Sequence, residues 1–369
     1  MSNAVSNATL TTKRPMKLTD IRGQDLVVNM LTWALVNNDI PVAYLAHGPG
    51  GVGKTSTISA FVRTLLCLNR PPGGAEPCLE CASCKALTDP RDCKHPNVVW
   101  VQVGKGASRG EDSLNSQVNQ ALEAAKVGPV YADEPHRSYK IIVVDEVQNL
   151  PVNQLQRFLY LPEAVNQINT NNVRIIFSTM NRHRLNADTV ASFVGRCTEL
   201  PFEEPGYEDL LAVAEAVAPN APKIMLMQIC DHVSRYGGAY RQLIEYLDTF
   251  SKPHINFHPT LVRRYLGILS LEEVDHFWYL CSLCRPEGRG YEDAKNFYNH
   301  LLRLCRREPV LLYERLAESL EVILGLPGAT TAHYEALRAL TMAATSRPYP
   351  NDWVLKLLYG LPYVPLIEH

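Results

Sequence analysis

Gly48-Pro49-Gly50-Gly51-Val52-Gly53-Lys54-Thr55 (GPGGVGKT), followed by Ser56, decides how the rest of the chain is read. It has the Walker A spacing G-x-x-x-x-G-K-[ST], in which glycines let successive backbone N–H groups turn inward onto phosphate oxygens. In that pattern Lys54 reaches the β- and γ-phosphates and the Thr55 hydroxyl holds Mg²⁺. The flanks fit. Ala43–Ala46 reads as a short buried strand entering the loop. Ser56–Leu66 reads as a helix leaving it, with its N-terminal dipole on the phosphates. The pattern implies a nucleoside triphosphate site.

A second apolar run, Lys140–Glu146 (KIIVVDE), ends in two carboxylates. In P-loop enzymes a strand of this kind is expected beside the P-loop strand, so that its end faces the same Mg²⁺. Asp145 would hold the metal, mostly through water, and Glu146 would polarise the attacking water as general base. The competing explanation is a pair of acids capping a helix that begins near Pro151; the P-loop upstream favours the metal site. Val173–Phe177 is a further strand, leading into Ser178-Thr179-Met180-Asn181, where Thr179 and Asn181 are candidates to sit beside the γ-phosphate. With Val98–Val103 and Thr198–Phe202 this makes five short apolar strands separated by helical segments, which predicts a five-stranded parallel α/β sheet covered on both faces. Leu26–Val36 reads as a helix with Leu26, Met30, Leu31, Trp33 and Leu35 on its apolar side.

From Tyr207 onward the pattern is helical: Asp209–Ala218, Ala221–Tyr236 and Arg241–Phe250, then an array over Leu261–His369 with apolar stripes such as Phe297, Leu301, Leu304 and Leu316, Leu320, Ile323, Leu324. A net charge of -2 excludes a global basic field for nucleic acid. No apolar run reaches the ~18 residues that span a bilayer, so no membrane partner is expected. Met1–Thr12 is small and polar, without the apolar core of a signal peptide; it is expected to be disordered, and the protein cytoplasmic. In that compartment the ten cysteines are thiols or metal ligands. Cys78-x-x-Cys81-x-x-Cys84 gathers three of them in one loop, with Cys67, Cys93 and His95 competing to be the fourth ligand of a tetrahedral structural zinc. Reduced packing cysteines are the other explanation, and the favoured one for Cys281-x-x-Cys284 in its apolar helical stretch.

The P-loop, the cysteine module inserted after its helix and the strand ending in Asp145-Glu146 together resemble the bacterial DNA polymerase III gamma/tau family, the AAA+ ATPase of the sliding-clamp loader. The resemblance runs from about Lys13 to about Phe250. Gly23-Gln24 resembles the family's G-Q near the adenine pocket, and Asp145-Glu146-Val147 with Leu150 its D-E-V-x-x-L segment. The resemblance favours Cys67 with Cys78, Cys81 and Cys84 as the zinc set. Gly195-Arg196-Cys197 is similar to the family's S-R-C motif, with Gly195 in place of its serine; the resemblance makes Arg196 a finger reaching ATP on a neighbouring subunit. Gly238-Ala239-Tyr240-Arg241 is similar to a lid motif G-x-x-R, which puts Arg241 on the γ-phosphate in cis. The position after Phe177 that is polar in the family falls near Met180. A divergent or bacteriophage member of the family would look like this.

What the resemblance implies is an AAA+ domain over 13–204 with a zinc insertion over 67–95, a helical lid over 205–255 and a helical collar for oligomerisation over 256–369. ATP, Mg²⁺ and zinc would be its cofactors. Other clamp-loader subunits in a pentamer, the sliding clamp and primer–template DNA would be its partners. A structural, non-hydrolysing loader subunit and another AAA+ machine such as a helicase loader are the alternatives.

Overall fold

The alternation of side chains along the apolar runs builds a sheet with two buried faces. The strands are β1 (Ala43–His47), β2 (Val98–Gln102), β3 (Lys140–Asp145), β4 (Val173–Thr179) and β5 (Thr198–Pro201), all parallel in the order β2-β3-β4-β1-β5. Tyr44, Ala46, Ile141, Val143, Ile176 and Leu200 point to one face. Leu45, Val101, Ile142, Val144, Ile175 and Phe177 point to the other. Period two with both faces covered is why these strands read as near-continuous apolar runs rather than alternating ones. The computed structural model describes residues 14–89, 93–103, 111–127, 129–130, 138–159, 172–180, 195–236, 238–284, 290–305, 309–345, 358 and 361–366. Met1–Thr12, assigned above to a disordered terminus, lie outside them, as does Asn181.

Helices α1 (Asp25–Asn37) and α2 (Lys54–Leu65) cover the first face. α2 is enclosed almost throughout: Ile58, Phe61, Val62 and Leu65 are each at most 1% exposed, and each such burial contributes about 1.5–3 kcal/mol. A short α3 (Ala82–Ala86) lies in the cysteine module. On the second face α4 (Glu111–Lys126) supplies Val118, Ala121 and Ala125, and α5 (Val152–Leu159) supplies Leu155 and Phe158, the latter edge-on to Phe177 at 6.3 Å.

Two expectations are corrected here. The acidic strand β3 does not lie beside β1: β4 pairs with both and separates them. An additional strand at that place moves the acids one strand outward and puts the end of β4 between them and the P-loop. On α1 the buried side is Val27, Leu31, Ala34 and Leu35, while Leu26 and Trp33 are 59% and 58% exposed. The expected Leu31 and Leu35 are buried and Met30 is partly so; packing against α2 and β5 rotates the buried side toward Val27 and Ala34 and leaves Leu26 and Trp33 out.

The chain divides into two compact units, Met1–Ser251 and Lys252–His369. Within the first, α6 (Tyr207–Val217), α7 (Lys223–Tyr236) and α8 (Ala239–Phe250) pack on one another after β5. The second unit contains α9 (Pro259–Leu266), α10 (Leu271–Ser282), α11 (Tyr291–Leu304), α12 (Pro309–Leu324) and α13 (Thr331–Thr345). Its core buries Leu301, Leu316, Leu320 and Ile323 together with Cys281, while Cys284 is also buried. The Trp278 indole donates to Ser319 at 2.9 Å, and buried Asp275 accepts from Tyr363 and from the Leu366 amide, tying down residues 361–366. Among the described residues no helix is long and apolar enough to cross a membrane.

Candidate nucleotide site and metal centre

β1 hands the chain to the Walker A loop at the carboxyl end of the sheet. Gly48, at φ 145°, passes so close to Phe202 that a Cβ would lie 2.2 Å from its carbonyl oxygen. Gly51, at φ 82°, meets the lid: a Cβ there would lie 2.7 Å from Gly238 O and 3.3 Å from the Cβ of Arg241, in the first turn of α8. Pro49 and Gly50 lie between these contacts, Val52 is fully buried, and Gly53 at φ 102° leads directly into α2, which begins at Lys54 and carries Thr55 and Ser56 in its first turn.

The Lys54 ammonium, on a residue 8% exposed, donates to the loop's own carbonyls, at 2.7 Å to Gly48 and 2.5 Å to Pro49. Burial lowers its pKa to about 8, against the opposing pull of the Asp145 carboxylate. Thr55 Oγ1 donates to Asp145 Oδ2 at 3.4 Å, reaching across the end of β4. From that strand Ser178 donates to the other oxygen of Asp145 and accepts from the Glu146 amide at 3.2 Å. Glu146 is left-handed, φ 60° and ψ 46°. Its carboxylate accepts from Asn149 Nδ2 at 3.1 Å, and the same amide donates to Val103 O, just beyond β2, at 3.0 Å.

Thr179 is fully buried in register with His47, and Met180 is 47% exposed with its sulfur against Gly50. The polar end of β4 therefore meets the Asp145 carboxylate and the Glu146 amide through Ser178, a residue not singled out from sequence. Its signal was there, a hydroxyl directly after the apolar run Val173–Phe177, but the choice among neighbouring polar residues depends on which side of the strand faces β3. Asn149 had no signal beyond its place in a turn. Gln24 is buried and pairs in both directions with the Glu203 backbone, Nε2 to O at 2.8 Å and N to Oε1 at 3.2 Å. Tyr240 reaches back to Arg22 O at 2.8 Å. These bonds join the segment before α1 to the start of the lid.

Arg196 is exposed and precedes β5, whose first residue pairs with Tyr44 near the start of β1. It therefore stands at the amino end of the sheet, opposite the P-loop of its own chain. Six residue steps, four of them through β5, lead from it to Phe202, roughly 20 Å at the usual rise.

The cysteine module forms a second centre. The sulfurs of Cys67, Cys78, Cys81 and Cys84 all lie within 4.8 Å of one another. A zinc tetrahedron with ~2.3 Å bonds has edges of about 3.8 Å, so four thiolates gathered this way fit the ion. Amides donate to the sulfurs around the loop: Cys78 N to Cys67, Cys81 N to Cys78 and Cys84 N to Cys81, at 3.2, 3.3 and 3.4 Å. Leu79 adopts φ 64° to make that turn. Burial pushes the Cys78 thiol up, but amide bonds from Glu80 and Cys81 outweigh it and leave it at about 6. Cys93 and His95 stand outside the cluster; Cys93 packs on the α1–α2 face of the sheet. Arg63, in the last turn of α2 and 1% exposed, fastens the module by donating to Leu87 O at 2.5 Å and Met16 O at 2.7 Å.

A parallel sheet in which one strand separates the P-loop strand from the acidic strand, with a helical lid against the loop, defines a nucleotide-binding domain of the AAA+ class followed by further helices. Residues 23–205 match the family model described as "DNA polymerase III, delta subunit". The chain is 25% identical over 190 residues to the DNA polymerase III subunit tau of Bacillus subtilis, covering 52% of this chain and 30% of that one. It is 25% identical over 278 residues to the gamma/tau subunit of Mycobacterium tuberculosis, 71% and 41% of the two chains. With the tau/gamma subunit of Haemophilus influenzae the identity is 39% over 137 residues, 37% and 18%. Through this segment the chain is similar to clamp-loader subunits of the gamma/tau kind. It spans less than half the length of each of these relatives.

Proposed function

We propose that this chain is an ATP-hydrolysing motor subunit of a sliding-clamp loader, working with other loader subunits as a pentamer on the clamp and on primer–template DNA. The observation that carries it is the division of the candidate site across the sheet. Lys54, Thr55, Asp145, Glu146 and Arg241 gather at the carboxyl end, whereas Arg196 stands at the other; from there it would reach a neighbour's nucleotide and not its own. Gly48–Ser56 cradle the phosphates with backbone N–H groups, and Lys54 exchanges its loop carbonyls for phosphate oxygens. Thr55 and Asp145 hold Mg²⁺, which supplies charge neutralisation at the phosphates when bound. Glu146 accepts a proton from the attacking water, Arg241 contacts the γ-phosphate, and a neighbour's Arg196 stabilises charge on the transferred group. ATP and DNA favour one closed arrangement of subunits and ADP does not, so hydrolysis releases the clamp.

The test is steady-state ATP hydrolysis by the chain with its co-purifying partners, with and without clamp plus primer–template DNA. Stimulation by both together is expected, and Arg196→Ala should lose about 10³-fold or more of the stimulated rate while binding ATP normally. ATP binding without stimulation points instead to a structural subunit.

The lowered Lys54 pKa gives a pH signature. Bound phosphates favour the ammonium, so binding takes up a proton wherever the free protein holds Lys54 neutral. At pH 8 roughly half a proton should be taken up, and ATP affinity should fall toward tenfold per unit as pH rises beyond that. Calorimetry at pH 8 in buffers of different ionisation enthalpy reads the uptake directly. Lys54→Arg, which stays charged, should abolish it; the same uptake in that variant would assign the proton elsewhere.

A further inference from the structure

His95, which by type competes for the zinc, has a different position. Asn97 donates its backbone N–H to His95 Nδ1 at 3.1 Å, which makes Nδ1 an acceptor and leaves the hydrogen on Nε2. Nε2 lies 2.8 Å from Ser83 Oγ, and Ser83 gives its own hydrogen to Leu66 O at 2.6 Å. Every hydrogen in this chain has one direction. His95 is 4% exposed, Ser83 3% and Leu66 2%. Ser83 sits between Cys81 and Cys84, and Leu66 immediately precedes Cys67. The far end is anchored in the sheet, because Asn97 O accepts from Ile141 N at 2.8 Å and the Asn97 side chain pairs with the Val130 backbone in both directions.

We propose that His95 is a positioning residue of the cysteine centre, acting through Ser83 to hold the Cys81–Cys84 turn against the Leu66–Cys67 segment so that the four thiols are gathered before metal binds. It rests on the zinc assignment of those thiols. Cys67 and the other three ligands lie on separate segments, joined by a proline- and glycine-rich stretch over 71–76 that does not itself fix their separation. Beside the Cys78 amide on Cys67 and Arg63 on Leu87 O, the Ser83–Leu66 bond is the tie set directly between the Cys81–Cys84 turn and Cys67, and His95 fixes the Ser83 rotamer. Residues that orient ligands in this way alter metal affinity by about 10–100-fold when removed. Burial first, and the Lys140 charge second, lower the His95 pKa to about 4, in keeping with a neutral ring whose two nitrogens have opposite roles.

The experiment measures zinc content of the full chain, then the rate of zinc transfer to a chromogenic chelator, for wild type, His95→Leu, His95→Gln, Ser83→Ala and Cys93→Ala. Glutamine presents an acceptor and a donor about as far apart as the two imidazole nitrogens, so it can occupy both ends of the brace. His95→Leu and Ser83→Ala should release zinc about 10–100-fold faster, His95→Gln should return most of the way to wild type, and Cys93→Ala should not differ from it. Ser83→Ala removes one hydroxyl and guards against misfolding of the leucine variant. Wild-type release rates in both His95→Leu and Ser83→Ala would overturn the brace, as would a glutamine variant as leaky as the leucine one. Wild-type protein without zinc would overturn the metal assignment itself, a result distinct from either.

Discussion

Glu146→Gln is expected to lower ATP turnover by about 10²–10⁴-fold, the usual share of a general base, while leaving ATP binding and the fold intact. Glutamine still accepts the Asn149 amide bond, so the local hydrogen bonding survives and only basicity is lost. Glu146 also occupies a left-handed backbone conformation that costs a non-glycine residue about 1–3 kcal/mol. Its amide on Ser178 and the 3-10 turn Val147–Asn149 after it hold that conformation. Single-turnover hydrolysis and fluorescent-nucleotide titration, made on the same preparation, separate chemistry from binding. A variant with unchanged turnover would remove Glu146 from the reaction and leave Asp145 as the sole acid at the site.

Removing the cysteine centre is expected to have the largest effect on stability. Cys84→Ser should abolish zinc binding and cost about 4 kcal/mol or more, a loss that belongs to structural metals and not to ordinary packing changes. At about 2–4 °C per kcal/mol for a unit of this size, the melting temperature should fall by roughly 10 °C. The size follows from what the module fastens. Arg63 is buried with its guanidinium shared between Leu87 O and Met16 O, and Glu76 receives Lys17 at 3.2 Å and Thr19 at 2.9 Å. The Lys17–Glu76 pair is solvent-exposed and contributes little alone. A buried arginine that loses one carbonyl contributes far more. Thermal melts with metal analysis decide it: equal melting temperatures and no zinc in either protein would make these thiols packing residues.

Some of this was legible in the residues. The Walker A glycines, the five strands and the helices after Tyr207 are products of local chemistry. Each depends on residues within a few positions of one another, whether as backbone freedom at Gly51, the apolar run of Lys140–Asp145, or the i, i+3 spacing of Cys78, Cys81 and Cys84. On α1 the expected Leu31 and Leu35 are buried and Met30 packs partly against the core, but Leu26 and Trp33 are exposed while Val27 and Ala34 take the buried side; local periodicity contains nothing that places the edges of such a stripe.

What the sequence by itself determined is therefore the set of parts: a phosphate-binding loop, an acidic strand end, a thiol loop and a helical remainder. Only the tertiary structure decided their arrangement. Strand order is a matter of pairing between segments far apart in the chain, and it inserted β4 between β1 and β3, bringing Ser178 onto the Asp145 carboxylate and the Glu146 amide. Parallel register placed Arg196 at the end of the sheet away from its own P-loop. Packing of the thiol loop on α2 brought Cys67 into the cluster and turned His95 into a neighbour of Ser83. In each case the deciding contact joins residues too distant along the chain for their spacing to encode it, and burial and hydrogen-bond satisfaction make the selection.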